Sequence, residues 1–261
     1  MMTVEEAIRV RRSVRTYQDT AVAPEVMEFV KDYIGNLRQA LPGCRCRLVL
    51  LERKLDGKVG TYGVIRNAGY FLAVVHPKDS DLEAINAGIV GERLVLELTR
   101  RGIGTVWLGG TFSRGAVGKM VKPAPDEAVN VVIAFGVPAE KESFTSRIMA
   151  LMVKARSRKS FREMFDIRTF SAFRPGLELM RLAPSASNRQ EWSVTETLWD
   201  IAPGMGRLDF FTADMNRFAA LDLGIGIAHF LVDAPTGHLA VVPDGAGMDP
   251  LSHYHITYVA E

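Results

Sequence analysis

The sequence predicts an α+β fold, and the lengths of its apolar segments support this class. Two continuous apolar runs, Tyr70 to His76 and Val129 to Phe135, have the length of buried strands. The stretch from Leu82 to Arg101 is much longer, and Gly102 stops it, as expected for a helix. Segments of both kinds recur in the second part of the chain, so strands and helices are mixed along its whole length.

Caps and turns predict where the other elements begin and end. Thr3 with acidic residues in the first turn indicates a helix that ends before Arg11, and Pro24 opens a second helix. The remaining predicted elements are a strand from Arg47 to Leu51, a segment from Thr105 to Leu108, a helix from Leu177 to Leu182, a strand from Leu208 to Phe211 and a last strand around His253 to Ile256.

An internal match indicates that the chain contains two related halves. Residues 85–98 match residues 221–234 in their apolar pattern, with Gly88 aligned to Gly224, and the strands before them align at the same offset. Glycine inside a helix costs about 1 kcal/mol relative to alanine. We therefore expect the two glycines to allow a close crossing of these helices at the centre of the molecule.

Composition and charge exclude several classes of function. The chain is 48% hydrophobic and long enough for a large core, and its net charge of +2 is the small difference between 32 basic and 30 acidic residues. This balance does not favour binding to nucleic acid or to an anionic membrane. The longest apolar run, Val129 to Pro138, is too short to span a bilayer, and the first residues do not resemble a signal peptide. We expect a cytoplasmic protein with no nucleic-acid or membrane partner.

The sequence offers no complete metal site and no hydrolase motif. Cys44 and Cys46 lack a second pair that could complete a zinc site. His253 and His255 share one face of the last predicted strand without an evident third ligand, so no metal is expected. Rossmann and Walker A fingerprints are absent, and Ser185 has no identified histidine and acid partners.

Short motifs spread over most of the chain carry the remaining chemistry. Arg11-Arg12-Ser13-Val14-Arg15 supplies cations and a hydroxyl, and the segment from Ala183-Pro184-Ser185 to Gln190-Glu191-Trp192 supplies turn-forming residues with short polar side chains. The other motifs are Gly102 to Gly110, Phe135 to Pro138 and the basic run Arg156 to Lys159. Together they resemble the FMN-dependent nitroreductase family, and in particular its single-chain, thermophile-type branch.

This resemblance implies a nitroreductase-like α+β fold with a central antiparallel or mixed sheet flanked by helices. Its two pseudosymmetric halves would be residues 1–165 and 166–261, which share one core. In the family, one subunit of a homodimer supplies the arginine motif and the other supplies the Ala-Pro-Ser loop. Here the loop follows the arginine motif by about 170 residues in the same chain. The resemblance therefore implies a monomer that completes one flavin site by itself.

The resemblance also assigns roles to individual residues. Arg11, Arg156 and Arg158 would hold the FMN phosphate, because guanidinium groups make charge-assisted hydrogen bonds to it. Arg15 would face N1 and O2 of the ring, where a cation favours the reduced state. The other cofactor-binding candidates are Arg12 and Ser13, the Tyr62-Gly63 pair, the backbone of Leu108, Gly109 and Gly110, and the loop residues Pro184, Ser185, Ala186, Ser187, Asn188 and Gln190.

Some of these motifs also have ordinary structural interpretations. A solvated basic surface is the alternative for Arg156 and Arg158, and a plain tight turn is the alternative for Tyr62-Gly63. The Ala-Pro-Ser loop could equally be the turn that follows a helix.

The implied reaction is a two-electron transfer from NAD(P)H through FMN to a small nitroaromatic, quinone or related acceptor. The cofactor carries this chemistry, so no catalytic side chain is expected. Two alternatives remain open. One is a specialised flavin enzyme acting on another substrate, and the other is a protein without enzymatic activity that senses or stores flavin.

Overall fold

Two β-sheets form the framework of the protein. The computed structural model describes residues 2–52, 61, 64–155, 157–169, 171–198, 206–213, 216–242 and 253–260. The first sheet is antiparallel throughout, in the order β1-β2-β4-β3. Its strands are Arg47–Glu52 (β1), Tyr70–Pro77 (β2), Gly104–Leu108 (β3) and Glu127–Gly136 (β4).

The second sheet lies in the second part of the chain and is mixed. Its order is β5-β6-β7-β9-β8, with β5 parallel to β6 and the other pairs antiparallel. Its strands are Phe165–Asp166 (β5), Trp192–Leu198 (β6), Gly206–Thr212 (β7), Gly237–Ala240 (β8) and His253–Ala260 (β9). The predicted boundary between the halves falls within β5, which pairs only with this second sheet.

Helices connect and cover the two sheets. Thr3 caps the first helix with a reciprocal capping box to Glu6, and the Ser80 side chain caps the long third helix. The predicted helix at Leu177 begins earlier, at Arg174, because a proline in its first turn is compatible with a helix start. The helices are Val4–Val10 (α1), Pro24–Gly35 (α2), Asp81–Arg100 (α3), Arg114–Val121 (α4), Phe144–Met152 (α5), Phe161–Met164 (α6), Arg174–Met180 (α7) and Ala219–Phe230 (α8).

The α3 and α8 helices cross with their backbones in contact. A Cβ atom placed on Gly88 would lie 2.2 Å from the carbonyl oxygen of Leu221. A Cβ atom on Gly224 would lie 2.1 Å from the carbonyl oxygen of Ile85. Both separations are far below van der Waals contact, so only glycine fits at either position. The predicted close crossing is confirmed, and every residue of α8 is buried.

The α+β class and the nitroreductase-like topology predicted from the sequence are confirmed, with the strands divided between two sheets. Sheet membership depends on pairings between distant strands, which local apolar patterns do not specify. Among the described residues, no helix combines the length and the apolar character needed to cross a membrane.

One expectation about β9 is wrong. His253 and His255 do have a third potential ligand beside them, because Asp81 at the start of α3 contacts both imidazoles. Asp81 is separated from them by most of the chain, so only the folded structure brings it to this place.

Candidate functional site

The arginine motif lies in an extended segment that follows α1. The amide of Val14 donates to the carbonyl of Thr105 on β3 (2.9 Å), and the amide of Arg66 donates to the carbonyl of Arg15 (2.9 Å). The buried hydroxyl of Tyr17 donates to the carbonyl of Val14 (2.6 Å). These hydrogen bonds hold the backbone of the segment from two sides, which fixes the directions of its side chains.

Two arginines of this segment have buried guanidinium nitrogens without a hydrogen-bond partner among the described residues. The Nε atoms of Arg11 and Arg15 make no hydrogen bond within the part of the chain that the structure describes. Burial lowers the pKa of Arg11, opposed by the charge of Glu92, and burial also lowers the pKa of Arg15, opposed by Glu142. Buried donors are normally satisfied, so these two nitrogens indicate a site for a polar or anionic ligand.

A buried carboxylate connects the arginine segment to the helix crossing. Glu92 on α3 is fully buried, and its Oε1 lies 3.9 Å from Nε of Arg11 and 2.9 Å from Nε2 of His229 on α8. Its Oε2 accepts a hydrogen bond from the indole nitrogen of Trp107 (2.7 Å). We did not predict a role for Glu92. Its spacing of four residues from Gly88, on the crossing face of the helix, is the signal that could have identified it.

The Ala-Pro-Ser loop has an unusual backbone. Ser187, Asn188 and Gln190 have φ angles of 52°, 56° and 52°, in the left-handed region that non-glycine residues seldom occupy. Ser185 Oγ accepts a hydrogen bond from the amide of Gln190 (2.9 Å), which closes the loop on itself. Strained backbone of this kind concentrates at ligand sites, so the loop is a candidate site on geometric grounds as well.

A buried aspartate on α8 positions the loop. Oδ2 of Asp222 accepts a hydrogen bond from the amide of Ala186 (2.8 Å), and burial raises the pKa of Asp222 to about 7. The amide of Asp222 donates to the carbonyl of Phe218. A Cβ atom placed on Gly109 would lie only 2.7 Å from the ring of Phe218. The Gly-Gly turn after β3 and the Ala-Pro-Ser loop therefore meet at the same end of α8.

Arg158 fastens the other side of the loop. Its guanidinium donates to Asn188 Oδ1 (3.0 Å) and to the carbonyl of Leu182 (3.1 Å), while its buried Nε has no partner among the described residues. The backbone amide of Lys159 donates to Gln190 Oε1 (3.0 Å). Burial lowers the pKa of Arg158, and the charge of Arg11 adds to this effect, so the two guanidinium groups are near enough for their charges to interact.

A cavity of about 450 Å³ opens beside the loop. Lys154, Arg158 and three loop residues, Ser187, Asn188 and Gln190, are part of its lining. The described residues 11–15 and 108–110 do not line it. The cavity therefore covers only the loop side of the predicted site.

The other predicted residues lie in different environments. Arg12 is exposed and forms an ion pair with Glu142 (3.0 Å), and Ser13 pairs through its backbone with Thr105. Leu108 is buried, whereas a Cβ on Gly110 would meet open space. Tyr62, Gly63 and Arg156 lie outside the described residues.

Comparisons with known proteins agree with this fold. A family model described as "Putative TM nitroreductase" matches residues 3–234. The structure of a protein described as a "putative nitroreductase" from Thermotoga maritima is 21% identical, with a TM-score of 0.60, and the match covers 99% of this chain and 93% of that one. No curated protein matches the sequence.

Other solved structures match a smaller part of the chain. A nitroreductase family protein from Clostridium difficile 630 is 20% identical, with a TM-score of 0.47 and coverage of 66% of this chain and 99% of that one. An FMN-dependent nitroreductase from C. difficile R20291 is 17% identical, with a TM-score of 0.44 and coverage of 53% and 90%. Because the family model spans most of the sequence, the chain belongs to this nitroreductase family and is an enzyme of the nitroreductase type.

Proposed function

We propose that the protein is an FMN-dependent oxidoreductase that uses NAD(P)H to reduce a small nitroaromatic, quinone or related acceptor. Membership of the family supports a flavin as the cofactor. The observation that carries the proposal is that the buried Nε atoms of Arg11 and Arg158, whose charges interact, each lack a hydrogen-bond partner among the described residues. Like charges repel at such sites, so their proximity favours an anionic ligand between them.

A phosphate group fits this pair of arginines. Glu92 neutralises one positive charge near Arg11 and Glu178 pairs with Arg181, so the charge of Arg158 remains. A flavin phosphate carries close to two negative charges and accepts charge-assisted hydrogen bonds. Arg11 would be the principal ligand, because the terminal nitrogens of Arg158 already hold the loop through Asn188 and Leu182.

The ring would lie toward Arg15 and the Gly-Gly turn. When bound, FMN supplies the two-electron hydride chemistry. The buried guanidinium of Arg15 would stabilise negative charge on the reduced ring. The open space at Gly110 leaves the backbone of the turn accessible to a planar group. The loop residues Pro184 to Gln190 would form the opposite wall, held in place by Asp222.

The parts of this site come from both halves of one chain. The arginine segment and the turn after β3 belong to the first half, and the loop belongs to the second. Phe218, which directly precedes α8, and Asp222 at the start of α8 link the turn to the loop. We therefore propose that a single chain completes one flavin site without a partner subunit.

The visible spectrum of the purified protein tests the proposal. We expect a yellow protein with one FMN per chain, confirmed by phosphate analysis of the released cofactor. Anaerobic NAD(P)H should bleach it, and a nitroaromatic or quinone should restore the colour. A protein that binds no flavin contradicts the proposal. Bound flavin that NAD(P)H does not reduce would instead indicate a store or sensor.

Replacement of Arg15 tests its proposed role. Arg15→Ala should lower the flavin reduction potential, because the variant loses the cation that favours the reduced anion. Arg9→Ala is the matched control, since Arg9 is an exposed arginine paired with Glu5 on α1. Potentiometric titration compares the two variants with the parent protein. Equal potentials in all three proteins would remove this role from Arg15.

A further inference from the structure

Three potential metal ligands meet where the start of α3 approaches the last strand, β9. Oδ2 of Asp81 lies 3.5 Å from Nε2 of His253 and 3.3 Å from Nδ1 of His255. The three ligand atoms all lie within 4.8 Å of one another. This group is separate from the proposed flavin site, and the proposed function assigns it no role.

The two separations from Oδ2 of Asp81 fit a tetrahedral zinc ion. Zinc binds histidine nitrogen and carboxylate oxygen at about 2.0 to 2.2 Å, so two ligands of a tetrahedral site lie roughly 3.3 to 3.5 Å apart. Both distances from Asp81 fall in this range. They are longer than the usual N–H···O hydrogen bond of about 2.9 Å. The geometry therefore corresponds better to shared coordination of a cation than to two direct hydrogen bonds.

The structure orients His255 as a ligand. Its ring is buried, and its Nε2 lies 2.8 Å from the hydroxyl of Thr212 on the neighbouring strand. That contact occupies one ring nitrogen and leaves Nδ1 facing Asp81. Histidines that bind metals usually have such a hydrogen bond on the second nitrogen. The contact with Thr212 thus holds the His255 ring in the orientation that a metal ligand requires.

The other two ligands face the solvent. About half of the side-chain surface of His253 and of Asp81 is exposed, at 52% and 53%. The ring of His253 contacts the edge of the His255 ring, with centroids 4.7 Å apart. A cation could enter from this side, and water could complete the fourth position of the tetrahedron.

We propose that Asp81, His253 and His255 bind one Zn²⁺ ion that joins β9 of the second sheet to α3 of the first half. The distance from the flavin site argues for a structural role. Glu92, the partner of Arg11, lies eleven residues beyond Asp81 on the same helix, which corresponds to about 16 Å. The ion would therefore stabilise the association of the two halves without contact with the cofactor.

Zinc titration of the tag-free protein after dialysis against a chelator tests this site. We expect one Zn²⁺ per chain by calorimetry, and Co²⁺ in its place should give the strong visible bands of tetrahedral coordination. A hundredfold excess of Zn²⁺ over its dissociation constant should raise the unfolding temperature by about 5 to 10 °C. No saturable binding at micromolar zinc would overturn the proposal.

Matched variants locate the ion. His253→Gln and Asp81→Asn should each weaken zinc binding at least tenfold and remove the thermal shift. His238→Gln is the control, because His238 is an exposed histidine on β8 outside the group. Circular dichroism without zinc checks that each variant is folded. If His253→Gln and Asp81→Asn bind zinc as tightly as His238→Gln does, the ion lies elsewhere and the proposal is wrong.

Discussion

At the scale of single residues, Arg11 has two roles, one in binding the cofactor and one in the stability of the fold. Arg11 is a proposed ligand of the cofactor phosphate, and it is also the arginine beside a fully buried carboxylate. Truncation of one partner in a buried pair leaves an uncompensated charge in the core. Loss of flavin from an Arg11 variant must therefore be separated from loss of the fold.

Arg11→Ala should destabilise the flavin-free protein by about 1 to 3 kcal/mol, because Glu92 then loses the guanidinium and keeps its contacts with His229 and Trp107. The double variant with Glu92→Gln should recover part of this free energy of unfolding. Urea denaturation measures both proteins, with Arg9→Ala as the exposed arginine control. If Arg11→Ala were no less stable than Arg9→Ala, the buried pair would have no structural role.

Asp222 gives the protein a specific dependence on pH. Its pKa is raised by burial from 3.8 to about 7, so the unfolded chain releases this proton at lower pH than the folded protein does. Stability should consequently fall as pH rises from about 4 to 7, by up to about 4 kcal/mol from this group. Asp222→Asn has no proton to lose, so its free energy of unfolding should lack this decline.

Urea denaturation between pH 4 and 8 checks the prediction. The stability of Asp222→Asn relative to the parent should increase with pH up to about pH 7 and then level off. Parallel curves for the two proteins would show that Asp222 titrates normally in the folded state.

The sequence identified motifs more readily than the groups that support them. Arg11 and Arg15 stand in a recognisable motif, and the structure gives both a buried nitrogen without a partner among the described residues. Glu92 and Asp222 belong to no motif, because their roles depend on contacts with distant segments. The position of Glu92, four residues from Gly88 on the same face of α3, is a trace of its role in the sequence, whereas Asp222 lies on a different face of α8 from Gly224.

At the scale of elements, the crossing of α3 and α8 is the feature that the sequence predicted most directly. Two glycines at equivalent positions of a repeat indicated a close approach, and carbonyl oxygens occupy the space where their Cβ atoms would be. The division of strands between two sheets could not be predicted in the same way. Strand pairing depends on long-range contacts, whereas apolar runs report only local burial.

Gly88→Ala should destabilise the protein strongly, because the new methyl group would collide with the backbone oxygen of Leu221. Overpacking of this kind costs about 1 to 3 kcal/mol or more. Gly118→Ala is the matched control, since this glycine also lies in a helix but has no atom within 4 Å of its Cβ position.

Thermal and urea unfolding compare the two alanine variants. Gly118→Ala should be neutral or more stable by up to about 1 kcal/mol, because alanine favours the helix. Equal stability of the two variants would mean that the helices do not cross as closely as the structure indicates.

At the scale of the whole molecule, the parts of the proposed flavin site come from both halves of the chain. The first half contributes buried cations and the Gly-Gly turn, and the second contributes the strained loop. The α3–α8 crossing holds the two contributions together, and Glu92, His229 and Asp222 extend from it toward both. We propose that this arrangement makes a partner subunit unnecessary for a complete flavin site.

Analytical ultracentrifugation with detection at the flavin and protein absorbances tests that claim most directly. Protein loaded with FMN is diluted until it sediments as a monomer, and the ratio of the two signals is followed across the boundary. We expect FMN to sediment with the monomer at one flavin per chain throughout the dilution series. Flavin that stays with a dimer and leaves the protein whenever the dimer dissociates would contradict the single-chain site.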